Sequence, residues 1–296
     1  MIKGSFVLVA RNDYYCGNSV SRLTNTLNFL GEALSETKNL DQSECVLVDW
    51  ASPDKPLKEV LVLNDEIKKI LKIITVDKKI ALKYQKNSPF SEVHAMNCGF
   101  RHISGKHFMR IDQDTLVGYR FIDWFFNEYE VKNYGFEWPK VCFSGRRNLN
   151  LKQSFGYKSI IKDEKLSKEI DILHPLCYQN RIYPIPRIHS FYGCAVGIMM
   201  VEKNLYEQEK GFNEELIYMN QMDVEFLNRL CEQGNSIYNL SQKTEADFYH
   251  QHHPKVKGSY APDRKSNSQA YRNNIFENNN PKNWGLKEEN LEIFKY

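Results

Sequence analysis

This sequence of 296 residues lacks the features that mark several large classes of protein. It has no apolar run near the ~20 residues that cross a bilayer as a helix, and the apolar start, residues 1–10, is too short for a secretory signal peptide. Lysine and arginine number 40 against 37 aspartates and glutamates, so the formal net charge is only +3. We therefore expect no transmembrane segment and no nucleic-acid partner, whereas peripheral membrane contact stays open.

The cysteines also form no recognisable pattern. There are seven, an odd number, and none forms a C-x-x-C pair of the kind found in zinc and redox sites. Scattered thiols without a pairing pattern are typical of proteins in a reducing compartment. The sequence therefore predicts a cytoplasmic protein without a disulfide framework or a structural zinc site.

Apolar runs of strand length alternate with helical patterns along the first part of the chain. Continuous apolar runs of this kind are typical of parallel strands buried on both faces, and apolar residues at helical spacing mark the segments between them. The strand candidates are residues 5–10, 44–48 and 72–76, and the helix candidates are residues 19–34, 57–71 and 91–104. This order predicts an α/β fold with a Rossmann-like, mostly parallel central sheet flanked by helices.

The second part of the chain extends this pattern and then changes in composition. Further strands are predicted at residues 140–145 and 191–201, and an amphipathic helix at 222–233. From residue 255 the chain is rich in asparagine, lysine and serine, which indicates a lid or tail. We divide the chain into a donor-binding half, an acceptor-binding and catalytic half of the same domain, and this polar segment, at residues 1–118, 119–254 and 255–296.

Two acidic residues follow a predicted buried strand at residues 107–111. Asp112 and Asp114 are two positions apart, so in an extended chain their carboxylates point the same way. Burial of two like charges side by side is costly unless a cation neutralises them. A divalent metal with a phosphate-bearing ligand is one such cation, and a solvated acidic turn is the alternative.

Other polar residues also stand at predicted strand and helix ends. Arg11 and Asp13 follow the first strand and Asp49 follows the second, at the edge where open α/β sheets bind ligands. Asp223 opens a predicted helix, where the helix dipole favours an acid in any case. His250 lies in a histidine-rich stretch that is equally typical of a solvated loop.

Taken in order, these motifs resemble those of glycosyltransferases of the GT-A fold, of the large family-2 type. The second half is similar to β-1,4-galactosyltransferases and to chondroitin-polymerase catalytic domains. That group shows D-D-G-S-x-D, A-x-N-x-G, D-x-D, a glycine-bearing strand, G-F-x-E, G-E-D-x-D/E-F-x-x-R-L and a later histidine. The matching positions here are residues 49–54, 95–99, 112–114, Gly193, 211–214, 222–230 and His250.

The match has departures that concern the acceptor. Trp50 and Ala51 replace the second aspartate and the glycine of the first motif, and Met222 replaces the glutamate before the last aspartate. In the family, that glutamate and the segment before it, here residues 218–221, help to hold the acceptor sugar. The resemblance therefore does not extend to the identity of the acceptor.

The resemblance implies an inverting, metal-dependent hexosyltransferase. Such an enzyme moves a sugar from a UDP-sugar to a hydroxyl of a glycan or glycoconjugate, as in polysaccharide biosynthesis. It assigns Asp112, Asp114 and His250 to the metal, with Mn²⁺ favoured over Mg²⁺ by the histidine. Asp223 is implied as the general base. The residues implied in nucleotide binding are Arg11, Asp13, Asp49, Asn97, Asp112 and Gly193.

Three alternatives stay open on the sequence. A sugar-nucleotide nucleotidyltransferase also uses paired carboxylates and a metal, although the glycine-rich basic phosphate loop typical of that class is missing after the first strand. A non-catalytic nucleotide- or carbohydrate-binding protein of the same fold fits the presence of Met222. A retaining transferase would lack a general base at Asp223.

Overall fold

The computed structural model describes most of the chain. The residues described are 1–129, 140–170, 196–218, 221–241, 243, 245–254 and 280–296. The predictions for Gly193 and for a lid at 255–279 lie outside these residues.

Eleven strands lie within the described residues. They are β1 (Gly4–Ala10), β2 (Ser43–Trp50), β3 (Leu71–Val76), β4 (His107–Ile111), β5 (Thr115–Val117), β6 (Val141–Ser144), β7 (Arg147–Asn148), β8 (Ile198–Glu202), β9 (Ile237–Asn239), β10 (Phe248–His250) and β11 (Glu292–Lys295). Eight of them form a central sheet in the order β11-β3-β2-β1-β4-β8-β6-β9. The block β3-β2-β1-β4 is parallel, whereas β8 and β11 run antiparallel to their neighbours.

Most helices of the described chain are short. They are α1 (Ser19–Glu36), α2 (Leu57–Val60), α3 (Asp65–Lys68), α4 (Lys78–Gln85), α5 (Glu92–Arg101), α6 (Tyr119–Asp123), α7 (Leu151–Phe155), α8 (Tyr157–Lys162), α9 (Glu164–Lys168), α10 (Lys203–Gln208) and α11 (Met222–Glu232), with a 3₁₀ turn at Leu40–Gln42 and a π-helical turn at Trp124–Glu128. None of these helices is long and apolar enough to span a bilayer.

The central sheet is buried because helices cover both of its faces. Every residue of β1 and β2 is buried, as their continuous apolar runs predict. One face packs on α1, whose leucines at positions 23, 27, 30 and 34 are at most 1% exposed. The other face packs on α5 and α11. The predicted α/β fold with a mostly parallel central sheet is thus confirmed.

Two segments differ from the prediction. The single helix expected at residues 57–71 is two short helices, because the Asn64 side chain accepts a hydrogen bond from the Ile67 amide (3.0 Å) and starts α3 afresh. Residues 280–296, expected to belong to a lid or tail, pack on the domain. Trp284 is only 4% exposed, and β11 pairs with β3 at the sheet edge.

Candidate functional site

A small second sheet lies where β4 ends and brings distant parts of the chain together. Its strand order is β5-β10-β7, and β10 pairs antiparallel with β5 and parallel with β7. In this register His250 lies opposite Thr115 on one side and Asn148 on the other. The Gln251 amide also donates to the Asp114 carbonyl (3.0 Å). Because Asp114 directly precedes Thr115, the pairing fixes His250 beside it.

Asp114, His250 and His253 form a group that could hold a metal ion, the one such group of three or more potential ligands in the described chain. The Asp114 Oδ2 atom lies 3.4 Å from His250 Nε2 and 3.3 Å from His253 Nε2. The two Nε2 atoms are 3.0 Å apart. His252 does not belong to this group. It is exposed, and its amide donates to the Ser154 hydroxyl (2.8 Å).

The hydrogen bonds of the two Nδ1 atoms fix which ring nitrogen of each histidine faces Asp114. His250 Nδ1 lies 3.0 Å from Asn148 Oδ1, and His253 Nδ1 lies 2.9 Å from the Pro254 carbonyl. Both oxygens can only accept, so each Nδ1 donates its proton. In a neutral imidazole the Nε2 atom then carries a lone pair. One carboxylate oxygen and two ring nitrogens thus converge on one point, within 4.8 Å of one another, an arrangement that a metal ion would stabilise.

The electrostatics of the group agree with cation binding. Burial tends to raise the pKa of Asp114, but hydrogen bonds to His250 and His253 and the charge of Arg146 outweigh it and hold that pKa well below the usual range. Burial lowers the pKa of His250, which Asp114 only partly offsets, so the ring is held neutral. One carboxylate with two imidazole nitrogens suits Mn²⁺ or a similar transition metal better than Mg²⁺.

Asp112, the other carboxylate of the D-x-D sequence, lies between two arginines. Its Oδ1 is 2.7 Å from Arg110 Nη2, and its Oδ2 is 3.0 Å from Arg146 Nη1. The same Arg146 atom lies 2.9 Å from Asp114 Oδ1. Asp112 is therefore outside the group of three, and its predicted part in the metal shell and in nucleotide binding stays a prediction.

Arg110 connects Asp112 to a further carboxylate, that of Glu92. It is buried, with Nη2 donating to Glu92 Oε1 (2.9 Å) and Nη1 donating to the Val196 carbonyl (3.0 Å). Burial raises the pKa of Asp223, with Arg110 opposing and Asp112 adding to the effect. Asp223, at the start of α11, therefore lies within range of the charges of Arg110 and Asp112. Its raised pKa makes it a stronger base than an ordinary aspartate.

The polar residues after β1 and β2 lie at the same edge of the parallel block and are held by their own loops. Arg11 Nε is 3.1 Å from Asp13 Oδ2. Asp49 is fully buried, and its carboxylate accepts from the Ser52 hydroxyl and from the Leu57 amide (2.7 Å). Burial raises the pKa of Asp49 despite these bonds. The assignment of Arg11, Asp13 and Asp49 to nucleotide binding stays a prediction.

Asn97 lies in the middle of α5 and is fully buried. Its Nδ2 donates to the Phe212 carbonyl (2.8 Å) and to Glu214 Oε1 (3.0 Å). Its Oδ1 accepts from the Phe212 amide (2.9 Å) and the Tyr206 hydroxyl (2.8 Å). The structure thus gives Asn97 a clear packing role, whereas its predicted contact with the nucleotide stays a prediction.

Sequence reasoning missed several residues of this site. His253 was not separated from its neighbours, and Glu92, Arg110 and Arg146 were not singled out. Two signals pointed to the arginines. Arg110, in the predicted strand, is two positions before Asp112, so in an extended chain both side chains point the same way. Arg146 comes directly after Gly145, the last residue of the strand predicted at residues 140–145.

No protein-family model matches this sequence, and no curated protein matches it significantly. Solved structures with a similar fold include TarS residues 1–349 of S. aureus, with a TM-score of 0.51 and 16% identity over 84% of this chain and 60% of that one. This chain thus spans less than two thirds of that one. TarS 1–349 in complex with UDP-GlcNAc gives a TM-score of 0.52 and 16% identity, over 88% of this chain and 60% of that one.

A second type of neighbour comes from Drosophila. It is the catalytic domain of β1,4-galactosyltransferase 7 in complex with xylobiose, with a TM-score of 0.50 and 11% identity over 95% of this chain and 82% of that one. At such identities the likeness concerns the fold alone. The chain accordingly has the GT-A fold of these glycosyltransferases, with an aspartate and two histidines converging at the carboxyl edge of its parallel strands.

Proposed function

We propose that this protein is a metal-dependent, inverting glycosyltransferase that moves a sugar from a UDP-sugar to a hydroxyl of a glycan or glycoconjugate. The observation that carries the proposal is the convergence of Asp114 Oδ2, His250 Nε2 and His253 Nε2, three potential metal-ligand atoms. Such a group suits a divalent cation, and it lies at the edge of the sheet where α/β folds bind ligands.

The fold supports a nucleotide-sugar as the donor. TarS has been solved with UDP-GlcNAc and with UDP, and the Drosophila galactosyltransferase with xylobiose. We infer the same class of donor here, a nucleoside diphosphate sugar with uracil as its base. One neighbour is bound to UDP-GlcNAc and the other is a galactosyltransferase, so the fold does not select the sugar for this chain.

The residues divide the chemical task between two sides of the site. A divalent cation held by Asp114, His250 and His253 would neutralise the charge that gathers on the leaving diphosphate. Arg110 and Arg146 add fixed positive charge next to it, and each is already oriented by a carboxylate. Such preorganised charge stabilises the leaving group without rearrangement during the reaction.

Asp223 acts on the acceptor side. Its carboxylate stands at the start of α11, within range of the charges of Arg110 and Asp112, and burial raises its pKa. A base of this kind takes the proton of the acceptor hydroxyl as that oxygen attacks the sugar. Direct attack in one step inverts the anomeric carbon, which is why we assign the inverting class.

Calorimetric titration of UDP, GDP and CMP, with and without Mn²⁺, tests the donor site. We expect metal-dependent binding of UDP and its loss in Asp114→Ala and His253→Gln. His252→Gln is the matched control, because His252 is exposed and outside the group of three. Its affinity should equal that of the wild type.

Two results would contradict the proposal. If no nucleotide binds under any condition, the protein is a relative in fold only, and a non-catalytic role takes precedence. If UDP binds but neither hydrolysis nor transfer of UDP-sugars occurs with a broad set of acceptors, it is a binding protein of the same fold.

A further inference from the structure

Arg146 occupies a central position among the carboxylates of the site. Its Nη1 atom lies 2.9 Å from Asp114 Oδ1, 3.0 Å from Asp112 Oδ2 and 2.9 Å from the Thr115 hydroxyl. The side chain is only 13% exposed. One guanidinium nitrogen therefore bridges both acidic residues of the D-x-D sequence.

The structure makes room for this arginine. Gly197 lies directly against it, and a Cβ atom built at that glycine would be 2.0 Å from Arg146 Cγ and 2.3 Å from Cδ. Real Cβ atoms do not approach other atoms so closely, so any larger residue at 197 would displace the side chain. The position of Arg146 thus depends on the glycine before β8, a second and independent feature of the fold.

Asp114 uses its two oxygens for different partners. Its Oδ1 faces Arg146, whereas its Oδ2 faces His250 and His253. A cation at the three converging acceptors can therefore bind while Arg146 keeps its place. That cation would stand next to a fixed positive charge, which opposes its binding.

We propose that Arg146 is a built-in counter-cation that keeps the metal affinity of the nucleotide-free protein low, so that metal and diphosphate bind together. A diphosphate brings negative charge to both cations at once, which removes the repulsion between them. Binding of each ligand then strengthens binding of the other by the same factor. Arg146 is in this sense a positioning residue. The proposal rests on the proposed function only for the identity of the second ligand, the diphosphate.

Manganese titration, followed by the paramagnetic resonance signal of unbound Mn²⁺, tests the proposal in the full chain. In the absence of nucleotide, we expect Arg146→Gln to bind Mn²⁺ at least about tenfold more tightly than the wild type, because a positive charge next to the metal is removed. The amide can still hydrogen-bond to Asp114. Addition of UDP should tighten Mn²⁺ binding strongly in the wild type and by a smaller factor in the variant.

Three further variants separate charge from structure. Arg146→Lys keeps the charge and should bind Mn²⁺ almost as weakly as the wild type. Arg147→Gln is the matched neighbour, since Arg147 Nη1 donates to the Ile170 carbonyl and not to the D-x-D carboxylates, and it should leave the Mn²⁺ affinity unchanged. Gly197→Ala displaces the Arg146 side chain and should tighten Mn²⁺ binding even if Arg146→Gln does not fold.

The outcomes are distinct. Unchanged or weaker Mn²⁺ binding in both Arg146→Gln and Gly197→Ala would overturn the proposal, because a merely structural arginine does not repel a metal. So would the absence of Mn²⁺ binding from wild type and variants alike. Failure of UDP to bind the wild type, with Mn²⁺ affinities as expected, would instead contradict the proposed function and leave Arg146 as a counter-cation.

Discussion

Asp223 stands at the second residue of α11, and its chemical setting differs from that of a usual helix-start aspartate. An exposed acid at this position is stabilised by the helix dipole. Here burial outweighs that effect and raises the pKa, and the charge of Asp112 adds to it. The carboxylate therefore gains basicity, which a general base requires.

Asp223→Asn tests this residue directly. The amide has the same shape but cannot take a proton, so transfer should fall by about 10²–10⁴-fold while UDP binding stays within about twofold. Initial-rate kinetics and calorimetry give the two quantities. In the wild type kcat/KM should fall as pH drops through the raised pKa of Asp223, because the protonated form is inactive, and the variant should lack this limb.

Asp65→Asn is the control for this substitution. Asp65 also lies in the first turn of a helix, α3, but its side chain is 89% exposed and far along the chain from the site. Both changes remove an acid from a helix start, so a general electrostatic effect would appear in both. Normal turnover in Asp223→Asn would mean that another group, with Glu92 as the first candidate, removes the proton.

At the scale of elements, the sequence predicted what local patterns determine. β1 and β2 follow from continuous apolar runs, β4 from alternation and apolar content, and α1 from its leucine spacing. Residues 57–71 show the limit, since their apolar spacing fits one helix, but α2 ends at Val60 and the side chain of Asn64 starts a second helix, α3.

Only the site residues that belong to a recognisable sequence motif could be singled out from the sequence. The resemblance singled out Asp114 and His250, and the pairing of β10 with β5 brings the two together, whereas their role as metal ligands stays a prediction. The ion pair between Asp112 and Arg146 was not predicted, because it depends on how β6 and the small sheet meet in space. His253 follows the last residue of β10 by three positions, where alternation no longer says which way a side chain points.

Asn97 offers a test at this scale, because its amide joins α5 to α10 and to the turn before α11. In Asn97→Asp, the carboxylate would face the Phe212 carbonyl and Glu214 in place of a donor, while the shape is unchanged. We expect the free energy of unfolding to fall by about 3 kcal/mol, the cost of buried acceptors without a donor. Urea denaturation followed by circular dichroism measures it.

Asn150→Asp is the matched control. Asn150 caps α7, and the oxygen of its side chain accepts from the Gln153 amide (2.9 Å), which a carboxylate does equally well. Stability should change by less than about 0.5 kcal/mol. An equally small effect at Asn97 would show that this amide is not needed for packing, and its predicted contact with the nucleotide would become its main role.

At the scale of the whole molecule, residues 280–296 pack against residues that lie far from them in the sequence. The Trp284 ring stacks on Phe100 at 5.6 Å, and the Arg101 guanidinium lies 3.8 Å from its centre. Asn280 donates to the Phe212 carbonyl (2.7 Å) and accepts from the Glu214 amide (2.8 Å). The end of the chain thus binds the same turn that Asn97 holds from the other side.

Trp284→Ala should therefore destabilise the entire domain and not only its last residues. Loss of a buried tryptophan lowers the free energy of unfolding by about 3–5 kcal/mol, and the cavity would lie next to Phe100 of α5 in the core. Ile293→Ala is the control within the same segment, because Ile293 is 45% exposed, and it should have little effect. Urea unfolding measured by fluorescence and by circular dichroism would show one shared, shifted transition for Trp284→Ala. If the circular dichroism transition stays at the wild-type midpoint, residues 280–296 dock without stabilising the fold.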